Sequence, residues 1–110
     1  MEYPALKQLP RNELELSFAL QKEEDEAPQR FRLRFAGVEA FKWTSLTSCT
    51  EEMIKSAYDK LIDVGKSDWL RECSEISARV GSGPKALRHY RIFFDDGPCV
   101  EVIAESASGF

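Results

Sequence analysis

The sequence has few of the residues on which catalysis and metal binding most often depend. His89 is the only histidine, and the three cysteines, Cys49, Cys73 and Cys99, form no CxxC pair. An odd number of widely spaced cysteines is more typical of reduced thiols in a cytosolic protein than of a disulfide framework or a zinc site. We therefore expect a cytoplasmic protein without a metal site.

Glycine-rich ligand-binding loops are also missing. The sequence contains no GxGxxG and no Walker-type loop, and the GSGP stretch at 81–84 lacks the following Lys-Ser/Thr pair that phosphate binding requires. There is no GxSxG element either, so no nucleophile elbow is indicated. These absences predict a protein that holds no cofactor.

The chain has neither a basic excess nor a long apolar run. Its formal net charge is -4, from 19 acidic and 15 basic residues, whereas a general nucleic-acid binder needs a basic footprint. No segment approaches the ~20 apolar residues that cross a bilayer. The first residues lack the basic start and apolar run of a signal peptide. We expect neither nucleic acid nor a membrane as a partner.

The composition is that of a folded protein. Hydrophobic residues make up 43% of the chain and charged residues 31%, close to the globular average. The 110 residues suit one domain, spanning 1–110. Within it, we expect residues 1–12 to form an extended N-terminal segment and residues 106–110 to form a flexible tail.

Two stretches near the start alternate as β-strands do. Apolar residues occupy even positions in LELSFAL at 14–20 and odd positions in RFRLRFA at 30–36. An acidic, proline-containing loop joins them, which indicates a hairpin. Paired residue numbers must sum to an odd value if both apolar sets share a face. Arg32 and Arg34 then lie on the other face beside Glu15.

The middle of the chain has helical spacing. Ser48 and Glu51 fit a capping box, followed by a helix that ends near Gly65. A second helix starts at Ser67 or Asp68 and stops at the GSGP stretch. Before them, Gly37 predicts a bend, and the sequence leaves open whether residues 38–43 form a separate strand.

A second hairpin closes the chain around DDGP at 95–98. Apolar residues are even on both sides of this turn, so a three-residue loop with Gly97 in the left-handed conformation keeps them on one face. Turn chemistry alone accounts for these acidic residues. The opposite face then carries the following seven residues: His89, Arg91, Phe93, Cys99, Glu101, Ile103 and Glu105.

These elements predict an α+β fold of two layers. A four-stranded antiparallel sheet of two hairpins, in the chain order β-β-α-α-β-β, would carry both helices on one face, with the strand order left open. Its other face would expose an apolar centre inside a charged rim, which is typical of a contact surface. We predict binding residues on this face at Arg32, Arg34, Arg91, Phe93 and Ile103.

His89 is a weak candidate for catalysis. Glu101 or Glu105 lies near it on the predicted face, and a histidine with a carboxylate can act as a general base with its orienting partner. A lone histidine on a mixed sheet face is more often a salt-bridge partner. The acidic turn and Glu105 lie at opposite ends of a strand, so we predict no metal site there.

Three segments carry a resemblance. GVEAFKWT, EEMIKSAYDKLIDVG and LRHYRIFFDDGPCVEVIAES are similar to segments of small bacterial proteins of about this length that have no assigned activity. The resemblance implies a bacterial, intracellular origin and says nothing about chemistry. Some small acidic α+β proteins are immunity proteins that neutralise toxins, which is an analogy of class only.

The first functional hypothesis is therefore a non-catalytic interaction or accessory protein. The acidic balance favours a basic protein partner, because opposite charges increase the association rate. An immunity protein against a basic toxin is one form of this hypothesis, and self-association into a homodimer is compatible with it. The second hypothesis is a small enzyme that uses His89 with Glu101 or Glu105.

Overall fold

The computed structural model describes residues 4–20, 27–81, 86–95 and 97–109, and this part of the chain has an α+β fold. Within these ranges, eight strands form two antiparallel sheets of four strands, and two α-helices accompany them. Residues 21–26 of the predicted acidic loop and most of the GSGP stretch lie outside the described residues. The elements are β1 (Ala5–Leu9), β2 (Glu13–Leu20), β3 (Gln29–Ala36), β4 (Ala40–Thr44), α1 (Glu51–Ala57), β5 (Ile62–Asp63), α2 (Asp68–Val80), β6 (Arg88–Phe93), β7 (Cys99–Ala104) and β8 (Ser106–Gly109).

The first sheet has the strand order β1-β2-β3-β8. Leu14 pairs with Phe35 and Leu16 with Leu33, so the predicted odd-sum register of the β2–β3 hairpin is confirmed. The expected flexible tail is wrong for residues 106–109, because they pair with β3 as β8. Part of the expected N-terminal segment forms β1. Both additions are edge strands with little apolar alternation, which is why the pattern did not show them.

The second sheet has the order β4-β7-β6-β5 and contains the other hairpin. Ile92 pairs with Val100, an even sum as predicted. The backbone N–H of Phe94 donates to the carbonyl oxygen of Pro98 across a three-residue turn, and Gly97 has φ +76°. Asp96, inside this turn, lies outside the described residues. The prediction from alternation and turn chemistry is confirmed for this hairpin.

The chain passes from the first sheet to the second at Gly37. This residue has φ +62°, and a Cβ there would collide with the Glu105 side chain. The backbone N–H of Glu39 then donates to the carbonyl oxygen of Ile103, which starts the pairing of β4 with β7. Residues 40–44 are therefore a separate strand, in a different sheet from β3.

The two hairpins lie in different sheets, so the predicted single four-stranded sheet is wrong. Their apolar faces pack against each other and form the main core. Alternation shows that each hairpin has one apolar face, but it does not show what that face packs against. The buried members of this core are Leu14, Leu16, Phe18, Leu33, Phe35, Ile92, Phe94, Val100, Val102 and Ala104.

The predicted placement of both helices on the apolar face is wrong: they cover the opposite face of the second sheet, which the prediction expected to be exposed. Ala57 of α1 packs with Phe93 and Cys99 in a second apolar cluster. Three layers result: the first sheet, the second sheet and the helices. Because the core between the sheets takes one face of β6 and β7, the helices can only cover the other.

The boundaries of α1 differ from the prediction, and those of α2 agree with it. Thr50, not Ser48, is the N-cap of α1, because its hydroxyl accepts the backbone N–H of Met53. The helix ends at Ala57, well before Gly65, since Tyr58 bridges to Phe93 of β6 and residues Ile62–Asp63 then form β5 against β6. Ser67 caps α2 as predicted. In the described part of the chain, neither helix has the length and apolar character needed to cross a membrane.

Candidate functional site

The residues predicted to form one contact face lie in two separate places. Arg32 and Arg34 project from the outer face of the first sheet, where both approach Glu15 at 3.7 and 3.6 Å. Arg91, on the helix-covered face of the second sheet, is separated from them by the main core. The two groups therefore do not act as one surface.

The second group is buried, so the predicted exposed binding face at Arg91, Phe93 and Ile103 is wrong. Phe93 and Ile103 are at most 2% exposed, and Arg91 is 8% exposed. The reason is that α1 lies over this face, where Ala57 packs against Phe93 and Ser56 accepts a hydrogen bond from Arg91. The odd–even alternation of side chains along each strand correctly predicted which residues share this face. It contains no information on whether the face is exposed or covered.

A buried polar network occupies this covered face. His89 Nε2 and Glu101 Oε2 are 2.5 Å apart, and the Arg91 Nε–H donates to the same carboxylate oxygen at 3.2 Å. His89 Nδ1 lies 2.8 Å from the Ser67 hydroxyl, and the Arg91 guanidinium also donates to Ser56 Oγ. Among the described residues, no buried side-chain nitrogen or oxygen lacks a hydrogen-bond partner.

Glu101 is the centre of this network. Burial raises the pKa of its carboxyl, but the hydrogen bond from His89 and the charge of Arg91 outweigh burial and hold the pKa below its ordinary value. The carboxyl is therefore ionised at neutral pH. Glu105, the other carboxylate considered for His89, is exposed, and the register sets Ile103 opposite His89.

Ser67, His89 and Glu101 form a chain of the kind found in hydrolytic sites, but their surroundings favour a structural role. The Ser67 hydroxyl accepts the backbone N–H of Leu70 as the N-cap of α2. The Trp69 ring packs perpendicular to the His89 ring with the centroids 5.1 Å apart, and His89 is 3% exposed. A substrate would have no access to the imidazole. The network joins the start of α2 to β6 and β7. The sequence identified Ser67 as a helix start but had no signal for its contact with His89.

An exposed apolar patch, which the sequence pattern did not predict, lies at the edge of the second sheet. We call Phe41, Trp43 and Leu46 the β4 patch; they are 38%, 48% and 44% exposed. Phe41 and Trp43 pair with Val102 and Val100, so they belong to the core-facing side of the sheet. Because β4 is the outermost strand, the main core does not cover them fully.

A recess beside the β4 patch has an acidic lining. It has a volume of about 380 Å³ and lies between the β1–β2 turn and the start of β4. Glu13 and Glu39 are the charged residues among those that line it, and Phe41 forms part of its wall. The recess thus joins an aromatic side chain to two carboxylates, which suits a partner with both apolar and basic groups.

Comparison with known proteins does not add a function: no family model, no curated protein and no solved structure matches this chain.

Proposed function

We propose that this protein is a non-catalytic interaction protein that binds an extended, basic segment of another protein along β4. The exposure of Phe41 and Trp43, 38% and 48%, is the observation that carries the proposal. Aromatic side chains are enriched among the residues that contribute most to protein binding. Phe41 and Trp43 lie on one strand, and Leu46 is close to them in sequence. Together they expose apolar surface that a partner would bury.

The backbone of β4 supports an extended partner. In the described part of the chain β4 pairs only with β7, so the amide and carbonyl groups of its other side face away from the sheet. Such an edge binds a further strand through main-chain hydrogen bonds. Lysine side chains often protect edges, but Lys42 lies over the Trp69 ring, with Nζ 4.1 Å from the ring centroid. Its ammonium group is therefore turned to the helix side.

Charge favours a basic partner over a second copy of this chain. The recess beside Phe41 contributes Glu13 and Glu39, and the whole chain carries a formal net charge of -4. Two copies meeting at β4 would bring like-charged recesses together. A basic segment would instead associate faster, because the opposite charges attract it, and its charges would complement those of the recess. A basic toxin is one partner of this chemistry, and the protein would then act as an immunity protein.

The alternative of a small enzyme that uses His89 with Glu101 has less support. The imidazole is engaged at both nitrogens and packs against the Trp69 ring. A general base needs to reach a substrate proton directly or through one water. The same contacts are explained by the attachment of α2 to the second sheet.

A display library of extended peptides, selected against the full-length chain, tests the proposal. We expect selected peptides to alternate apolar and basic residues, and we expect Trp43→Ala to weaken their binding about tenfold or more, as for a central aromatic anchor. Ile76→Ala is the matched control, because Ile76 is also an exposed apolar side chain, 59% exposed, but lies on α2.

Two outcomes would contradict the proposal. Peptides that bind wild type and Trp43→Ala equally well would place the binding surface elsewhere. Sedimentation that shows a dimer of the wild type and a monomer of Trp43→Ala would assign the β4 patch to a second copy. Glu39→Gln adds a test of charge, because it should slow association and reduce its dependence on salt.

A further inference from the structure

Two cysteines that are far apart in the sequence meet beside the end of β4. Cys99 is the first residue of β7 and pairs with Thr44, the last residue of β4. The chain then makes a short 3-10 turn, Leu46–Ser48, and returns, so that the Cys49 thiol lies 3.7 Å from the carbonyl oxygen of Thr44. Cys49 packs against the apolar cluster that contains Cys99, and its thiol is one of the groups that raise the pKa of the Cys99 thiol.

The two thiols differ in access. Cys99 is fully buried, and burial, with a smaller effect from the charge of Glu101, raises the pKa of its thiol to about 12. It is therefore protonated and shielded from reagents at neutral pH. Cys49 is partly exposed and donates its S–H to the carbonyl oxygen of Ser45 at 3.4 Å. A reagent from solution meets Cys49 first.

We infer that Cys49 and Cys99 form an oxidation site, in which a hydroperoxide converts the two thiols into an intramolecular disulfide. The Cys49 thiolate attacks the peroxide; an S–O bond forms, the O–O bond breaks, and water or an alcohol leaves with the proton. The Cys99 sulfur then attacks the Cys49 sulfur of the sulfenic acid, so that the S–S bond forms, the S–O bond breaks, and water leaves with the Cys99 proton. The two thiols together lose two electrons and two protons.

The disulfide would tie the 45–49 segment to β7. Leu46 lies in this segment, and the segment also approaches the turn of the second hairpin, since a Cβ on Gly97 would meet the Leu46 backbone and Cβ at 3.0–3.3 Å. Oxidation would therefore restrain one end of the β4 patch. The inference concerns the thiols alone and holds whether or not β4 binds a partner.

The test treats the folded full-length chain with hydrogen peroxide, blocks the remaining thiols and maps the peptides by mass spectrometry without reduction. We expect a monomer whose mass is lower by two hydrogen atoms and whose Cys49 and Cys99 peptides are linked. Dithiothreitol should restore both thiols. Cys73→Ser is the matched control and should give the same linkage. Cys73 lies on α2, and the charged groups that affect the pKa of its thiol are Glu39, Glu72 and Lys42.

Cys49→Ser removes the partly exposed thiol and leaves the buried one in place. It should abolish the linkage and slow the loss of Cys99 thiol about tenfold, since the remaining sulfur is buried and protonated. Circular dichroism verifies that this variant is folded. The inference is overturned if Cys49 proceeds to sulfinic acid while Cys99 stays reduced, if the linkage involves Cys73 or a second chain, or if both thiols resist oxidation.

Discussion

Arg91 and Glu101 lie directly opposite each other on β6 and β7, and the Arg91 Nε–H donates to Glu101 Oε2 at 3.2 Å beneath the helices. Both residues are less than a tenth exposed. Buried charges are tolerated only when they are paired and hydrogen-bonded, and the loss of one partner leaves the other uncompensated. This pair is therefore expected to be sensitive to single substitutions.

Glu101→Gln should lower the free energy of unfolding by about 3 kcal/mol, because it leaves the Arg91 charge without its buried counter-ion. Urea denaturation measures this change. Glu15→Gln is the matched control: Glu15 also approaches two arginines across a sheet, but those arginines are largely exposed, and we expect a loss below about 1 kcal/mol. Equal losses in the two variants would contradict a special role for the buried network.

The lowered pKa of Glu101 predicts acid sensitivity. Between the folded-state pKa and the ordinary value of 4.5, the unfolded chain binds more protons at Glu101 than the folded chain does. Stability therefore rises with pH in this range, and the contribution of Glu101 is lost as the pH falls through its folded-state pKa.

Unfolding free energies measured from neutral pH down into this range should fall more steeply for wild type than for Glu101→Gln. Asp63 contributes with the same sign, because the Gly65 backbone N–H and Arg88 lower its pKa, so the comparison must be made between variants. Parallel pH curves for wild type and Glu101→Gln would contradict the assignment.

Ser67→Ala should lower the free energy of unfolding by about 1–2 kcal/mol, because it removes the N-cap of α2 and the hydroxyl beside His89 Nδ1. Chemical denaturation measures the loss, and Ser67→Thr should restore most of it. Ser77→Ala, on the same helix, is the control and should change stability by less than about 0.5 kcal/mol. Similar losses for both serines would show that the capping contacts of Ser67 contribute little.

Gly37→Ala tests the crossing between the sheets. The substitution places a Cβ at φ +62° and against the Glu105 side chain, so we expect a loss of more than about 1 kcal/mol. Gly65→Ala is the control, since Gly65 has φ +81° but nothing within 4 Å of the added Cβ. Thermal or urea unfolding should rank Gly37→Ala as the more destabilising.

The Glu105→Ala substitution in the Gly37→Ala background separates the two effects. It removes the side chain that the new Cβ would meet and leaves the backbone strain, so the double variant should approach the loss of Gly65→Ala. A double variant as unstable as Gly37→Ala alone would show that steric conflict with Glu105 is not the cause.

The candidate site could be predicted only in part. The alternation of side chains along the strands correctly placed His89, Arg91 and Glu101 on one face. The turn at Gly97 was predicted from its own residues. Nothing in the pattern distinguishes an open face from one covered by helices, so the same residues were expected at a contact surface. The exposed aromatics of β4 were missed for the opposite reason: their alternation is that of a buried strand, and only their place at the sheet edge exposes them.

The local sequence determined the hairpins, the start of α2 and which side chains of each strand share a face. Strand pleating, helix capping and turn geometry depend on residues that are close together in the chain. Only the tertiary structure decided that the hairpins occupy separate sheets, that the helices cover the polar face, and that β4 lies at an edge. The apolar surfaces of the hairpins and helices have similar chemistry, so each could be buried against several others. The packing of segments that are distant in the sequence determines which of them contact each other.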